Sequence, residues 1–563
     1  MIHGQWPFAG IRQFGEFEMS QLSKPITRTL LPLCVVFGVI ALVAVASRTN
    51  IARERPELPG RIAAADETIV ERVDRMLARK WADAGVTPAN PADDLTILRR
   101  LSQVLHGTVP SLEEIRMFEA DAQPKRLERW VERLLNDRRF ADYFARRLSR
   151  VYVGAADGQF VVFRRDRFWA WLSEQLHENR PYDAMVREMI AGRGLWTGVP
   201  QVNFITAAVH KDAVDVNQLA GRTVRAFLGQ RIDCAQCHDH PFADWKQSQF
   251  EGIAACFGRV QISPVGVEDH RKAPYKVQDR KTLQDREVAP AVPFDTELFP
   301  DDGTERQRLA AWVTDPRNRR FERATVNRVW GLMFGKAWFE PVDDLPHPAS
   351  GGRQSTDVLD LLGADFREHD CDLKRLITVI ALSHAFRLSS QHPLLDAPDQ
   401  AEIIDRNWAA FPLTRLRPEQ VIGAMLQASS IKTIDQNSHW VRRAFRFFQE
   451  LNFVKEYGDL GDDELGEHSG TIPQALLRMN GEFARDRSEG NPFSAPGRIA
   501  AMAPTDDGCL DLCFLVCLTR YPTAEERLQI QPQLDQTRGD ARKDVVEDLF
   551  WTLYNSAEFN WGH

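Results

Sequence analysis

Arg126-Leu127-Glu128-Arg129-Trp130-Val131-Glu132-Arg133-Leu134-Leu135-Asn136 is the stretch from which the fold class can be read. Leu127, Trp130, Val131, Leu134 and Leu135 fall at i, i+3, i+4, i+7 and i+8, which gathers them on one stripe of an α-helix and leaves the charged residues opposite. A strand would scatter the same five residues over both of its faces. Comparable periodicity recurs at 68–83, 111–121, 139–152, 166–178 and 183–191, with Pro110 and Pro181 at helix entries. Further along, Leu373, Leu376, Ile377, Ile380, Ala381 and His384 share one helical face, which makes His384 a core histidine rather than a ligand. Cys509, Cys513 and Cys517 follow i, i+4, i+8 within an apolar run and read as core, because a free thiol packs as a small hydrophobe.

Working outward, the expectation is a mainly α protein: two helical domains joined by a Pro-rich segment with a few short strands. Residues 66–261 form the first domain and residues 304–563 the second. Between them, 262–303 carries Pro264, Pro274, Pro290, Pro293 and Pro300, which interrupt any helix. Tyr275-Lys276-Val277 and Glu287-Val288 could pair there as short strands. Residues 456–470 and 484–508 are rich in Gly, Asp and Glu and read as loops.

At 563 residues, with 43% hydrophobic and 27% charged residues, the chain has the composition of an ordinary globular protein. A net charge of -8 leaves no basic excess to neutralise phosphates, which argues against a nucleic-acid partner. Residues 1–50 read as an export signal or membrane anchor: Leu30 to Ala46 is an uncharged apolar run closing on Ala44-Val45-Ala46. Starting at Met19 gives that leader a conventional basic n-region. Retained, the run would be at the short limit for spanning a bilayer. Residues 51–65 are Pro- and Arg-rich and read as a tether. The expected location is therefore the periplasm or cell envelope, free or anchored in the inner membrane.

The chemistry centres on Cys234-Ala235-Gln236-Cys237-His238-Asp239-His240, placed between the helical stretches 216–232 and 244–257. Cys-x-x-Cys-His is the attachment signature of haem c. Its thiols add across the porphyrin vinyl groups, and the adjacent imidazole of His238 becomes the proximal iron ligand. The sixth ligand is unassigned: no Met lies between Met189 and Met333, His240 is too close to His238 to reach the distal face, and His210, His270 and His347 remain. The competing reading is a metal site for zinc or iron held by Cys234, Cys237, His238 and His240, with Asp239 and Asp244 as acceptors for the imidazoles. A thiol pair with no cofactor is the third. The second domain offers Asn327, Arg328, Asp343 and Asp344 as weak catalytic candidates; the paired aspartates could act as acid and base or hold a cation, or simply cap helices and pair with arginines. Gly331 to Lys336 lacks the spacing and the Ser/Thr of a phosphate loop, and no G-x-S-x-G or H-E-x-x-H motif is present.

These motifs resemble a known family. Leu98-Arg99-Arg100-Leu101, Val109-Pro110-Ser111-Leu112-Glu113-Glu114, and Phe227-Leu228-Gly229 ahead of Cys234 to Phe242 resemble the first of the paired planctomycete cytochrome-c-associated domains of unknown function. Val326-Asn327-Arg328-Val329-Trp330, Phe334-Gly335, Glu340-Pro341-Val342-Asp343-Asp344-Leu345, Asp372 to Leu376, Ser389-Ser390, Ile472 to Leu476 and Asn555 to Phe559 resemble the second. The resemblance covers roughly residues 95 to 563 and implies exported two-domain proteins without a settled activity. Two expectations follow. The first is a cell-envelope redox protein with covalent haem, working in electron transfer or haem-dependent oxidation with an envelope redox partner. The second is a non-redox envelope protein whose Cys/His metal site is structural and which binds or hydrolyses a polymer or glycan. Whether the chain is an enzyme is left open by both.

Overall fold

A computed structural model describes residues 63–154, 162–211, 213–239, 245–270, 274–278, 283–346, 357–435, 465, 471–535 and 537–563. The leader, the tether up to residue 62, the 456–470 stretch apart from Leu465, and His240, Asp244 and His347 lie outside the described residues; residues 63–65, read as tether, begin the helix Ala63–Ala84. Among those that are described, no helix is long and apolar enough to cross a membrane.

The protein is mainly α. Helices begin where short polar side chains can satisfy the first backbone N–H groups. Asp93 accepts from Thr96 N at the start of Asp94–His106, and Gly107 closes that helix in the left-handed conformation. Ser111 and Glu114 form a reciprocal capping box on Leu112–Ala120, as Thr304 and Gln307 do on Glu305–Val313. The predicted stripe of Arg126–Asn136 is inward: Trp130, Val131, Leu134 and Leu135 are all buried. Cys509, Cys513 and Cys517 are buried along Asp506–Leu518.

Two stretches differ from the sequence reading. Residues 484–508 include the helices Glu482–Ser488 and Ala495–Met502 and the start of Asp506–Leu518. Their polar composition suggested loop, but Ser494 and Thr505 act as N-caps, accepting from Gly497 N and Gly508 N. The helix expected to carry His384 ends at Leu382. Ser383 caps a new short helix, His384–Arg387, and His384 lies edge-on to Trp81 with its backbone N–H donated to Asp74 at 2.7 Å.

Among the described residues, strands are confined to short pairs. In the Pro-rich segment, Val260–Ser263 pairs antiparallel with Gly266–Asp269, and Lys276–Gln278 with Asp285–Glu287. This segment is built into the packing on both sides. Val267, Val292 and Leu298 join one apolar core that runs from Ile69 to Phe411, so residues before and after 262–303 share a single interior. Arg306, with 0% of its side chain exposed, binds both carboxylate oxygens of Asp269 at 2.7 and 3.0 Å and the carbonyls of Ile190 and Gly192 at 3.0 and 2.7 Å. A second core gathers residues from Leu416 to Phe559 around the Cys513 helix.

Candidate Cys/His site and an adjoining arginine-lined cleft

The Cys/His motif is positioned by the end of the Val216–Leu228 helix. Asp215 caps its start by accepting from Asn217 N and Gln218 N, and Gly229 ends it at φ +58°. A Cβ at Gly229 would lie 3.0 Å from Leu345 and 3.2 Å from Ala324, so this position needs glycine for both conformation and packing. Gly229→Ala is expected to destabilise the protein by about 1–2 kcal/mol from the left-handed backbone alone, read as a lowered urea midpoint. An unchanged midpoint would show that the helix end can shift freely.

After Gly229 the chain is held by residues between Arg320 and Leu345. Gly229 O accepts from Leu345 N at 2.8 Å, Gln230 donates to Asp344 at 2.9 Å and accepts from Arg320, and Arg231 pairs with Asp343 at 2.7 Å. Then comes a single 3-10 turn, Asp233–Gln236, anchored by buried Ile232 and Ala235. Cys234 and Cys237 are exposed on this turn, and His238 is exposed beside them.

His238 is oriented. Its Nδ1 lies 2.7 Å from the carbonyl oxygen of Asp239. A carbonyl only accepts, so Nδ1 carries the proton, and in the neutral ring Nε2 keeps its lone pair for an electrophile or metal. The acceptor is thus the Asp239 backbone rather than the side chain anticipated from the sequence. The Asp239 carboxylate instead accepts from Gln247 N at 2.9 Å and Lys246 Nζ at 3.5 Å, and these partners, Gln247 N–H foremost, hold its pKa below the usual range. The Gln247 side chain reaches back to Gln236 O at 3.4 Å, tying the turn to the next helix, Gln247–Phe257. Among the described residues, no group of three or more His, Cys, Asp or Glu side chains converges on one metal position.

Beside the turn lies a polar cleft of about 330 Å³, lined in part by Asp233 and Gln236. Arg150, Arg222, Arg225 and Arg328 line it, together with Asp215, Asp233 and Asp343. Of the weak candidates in the second domain, two reach this cleft: Arg328, buried, and Asp343, which joins Arg231 to Arg225 at 2.7 and 3.7 Å. Asn327 does not. Its amide clamps the following loop, binding Phe339 O, Val342 O and Phe339 N at 3.0, 3.2 and 2.9 Å. Asp344 is exposed and holds Gln230. His210 lies in a short strand pair, and His270 directly follows the strand Gly266–Asp269, its backbone N–H donating to Arg259 O at 2.7 Å; both are exposed.

Sequence reasoning missed Arg150, Arg222, Arg225 and Asp233. A signal existed in Gln218, Arg222 and Arg225, which fall at i, i+4 and i+7 on one helix face. Such a face is ordinarily solvated, and only the fold closes it against Val342 and Asp343.

Residues 72–262 match the family model PSCyt2, described as a protein of unknown function (DUF1549), and residues 305–450 match PSD1, a protein of unknown function (DUF1553). The chain carries these two domains in tandem. No curated protein and no solved structure matches it. The Cys/His turn belongs to the PSCyt2 segment, whereas Arg328, Val342 and Asp343 belong to PSD1. The cleft is therefore assembled from both.

Proposed function

We propose that this protein is a redox protein of the cell envelope, with a c-type haem joined by thioether bonds to Cys234 and Cys237 and its iron held by His238. The reading is carried by the orientation of His238: Nδ1–H is committed to Asp239 O, leaving Nε2 as the ligating nitrogen, directly after two exposed thiols in the required order. A c-type site does not need its three donors to converge on one point, since the sulfurs bind the macrocycle edge and only the imidazole binds iron. A tetrahedral zinc or iron site would instead draw Cys234, Cys237, His238 and His240 onto one ion.

When bound, the haem would supply one-electron exchange, in electron transfer or in oxidation of a substrate. The chain's own contribution is to anchor and to orient. Cys234 and Cys237 would hold the group through thioether bonds, each thiol adding sulfur to one vinyl carbon and hydrogen to the other with no leaving group. The Asp239 carbonyl fixes the imidazole tautomer, and the Gln247 contacts to Asp239 and Gln236 fix the turn.

The test is expression of the full chain with a c-type maturation system, followed by a pyridine haemochrome spectrum and haem staining after denaturation. One haem per chain is expected, weakened in Cys234→Ala or Cys237→Ala alone and absent from the double variant. A colourless chain would overturn the proposal; stoichiometric zinc or iron in its place would move the assignment to direct ligation by Cys234, Cys237, His238 and His240.

A further inference from the structure

Arg328 is out of place as an ordinary buried arginine. Only 4% of it is exposed, and its Nε has no hydrogen-bond partner. Its one described hydrogen bond runs from Nη2 to the carbonyl of Arg225 at 3.3 Å, a neutral acceptor. Removing a guanidinium from water without a counter-charge is costly, and buried charges are ordinarily paired. The carboxylates of the cleft are already engaged. Asp233 pairs with Arg225 at 2.6 Å, Asp343 bridges Arg231 and Arg225, and Asp215 caps its helix. The Glu419 carboxylate pairs with Arg150 at 2.6 Å. The phenols that feel the Arg328 charge, Tyr152 and Tyr182, hydrogen-bond each other at 2.7 Å. Burial pushes both upward in pKa, Tyr182 to about 12, so neither supplies an anion at neutral pH.

A buried cation that no carboxylate among the described residues neutralises therefore lines an open, arginine-rich cleft. We infer that the cleft between the PSCyt2 and PSD1 segments is an oxyanion site, taking a carboxylate or phosphate group with Arg328 as its principal partner. The planar guanidinium fork matches both groups in a bidentate manner, which an ammonium cannot do. The inference stands on the cleft alone and does not require haem. Two sources share this chemistry: a free small anion, and the carboxylate side chains of a haem attached at the neighbouring turn.

The experiment uses the full chain prepared without haem attachment, in a buffer free of other oxyanions and at ionic strength held constant with sodium chloride. Thermal unfolding is followed while sodium succinate and inorganic phosphate are titrated separately. At least one is expected to raise Tm, by on the order of 2 °C near saturation. Arg328→Gln should abolish the rise, and Arg328→Lys, which keeps the charge but loses the fork, should weaken binding by about 10-fold or more. If neither anion raises the wild-type Tm beyond the chloride control, the inference is wrong, whatever the variants do. An equal rise in Arg328→Gln would also overturn it. Repeating the titration on haem-loaded chain separates the sources: a lost response means haem carboxylates fill the site, and a retained one means a free anion does. A chain that stays colourless after expression with the maturation system and still binds anions would sink the haem assignment and leave this site standing.

Discussion

Arg306→Met is expected to lower the stability of the protein by roughly 3–5 kcal/mol, because it removes a fully buried guanidinium from its pair with the largely buried Asp269 carboxylate. The guanidinium makes two bonds to Asp269 and one each to the carbonyls of Ile190 and Gly192. Methionine fills most of the volume but offers no donor, so the buried Ile190 carbonyl and the part-buried Gly192 carbonyl lose this partner and Asp269 keeps Arg193, at 2.7 Å. Arg193 is about half-exposed, and solvent screens that remaining pair, so Arg193→Met should cost no more than about 1 kcal/mol. Urea unfolding of both variants checks the contrast. A loss below about 1 kcal/mol for Arg306→Met would mean that Asp269 and the two carbonyls re-pair locally and that the residue does not hold the Pro-rich segment to the Tyr182–Ala191 helix.

Acidification is expected to destabilise the protein through His106. This ring is buried, and Nε2–H donates to Leu134 O at 3.0 Å. Burial above all, with the nearby Arg139 charge second, lowers its pKa to about 4. Between the ordinary histidine value and about 4, the unfolded chain binds a proton that the folded chain refuses. Stability therefore rises with pH across that window and is lost as the pH falls. From pH 7.5 to pH 5 this single residue should remove about 2 kcal/mol. His106→Gln keeps a side-chain donor for Leu134 O and cannot titrate. The measurement is unfolding free energy at both pH values: the acid-induced loss should be smaller in the variant by that amount. Equal losses in the two proteins would show that His106 is protonated in the fold.

Both predictions depend on burial, and burial separates what was legible in the sequence from what was not. The helices were legible because the 3.6-residue period and the capping residues are local signals: Leu127 to Leu135 and the Ser111–Glu114 box need no distant partner to be recognised. Where local signals compete, period alone misleads. The apolar run continues from Leu373 to His384, yet Ser383 turns its side chain onto the backbone, accepting from Phe386 N and donating to Ile380 O at 2.7 Å, and the helix ends.

The Cys/His motif is likewise a local signal, because Cys234, Cys237 and His238 stand within five residues of one another. The sequence by itself determined the mainly helical class, the tandem of two segments and the Cys234, Cys237 and His238 trio. Only the tertiary structure decided that Asp239 orients His238 through its carbonyl, that Asn327 is a clamp, and that Arg328 is buried without a carboxylate partner among the described residues. The reason is physical. Arg150, Arg225 and Arg328 are far apart in the chain, and nothing in their local sequence shows that they line one cleft or that Arg328, alone of the three, is buried.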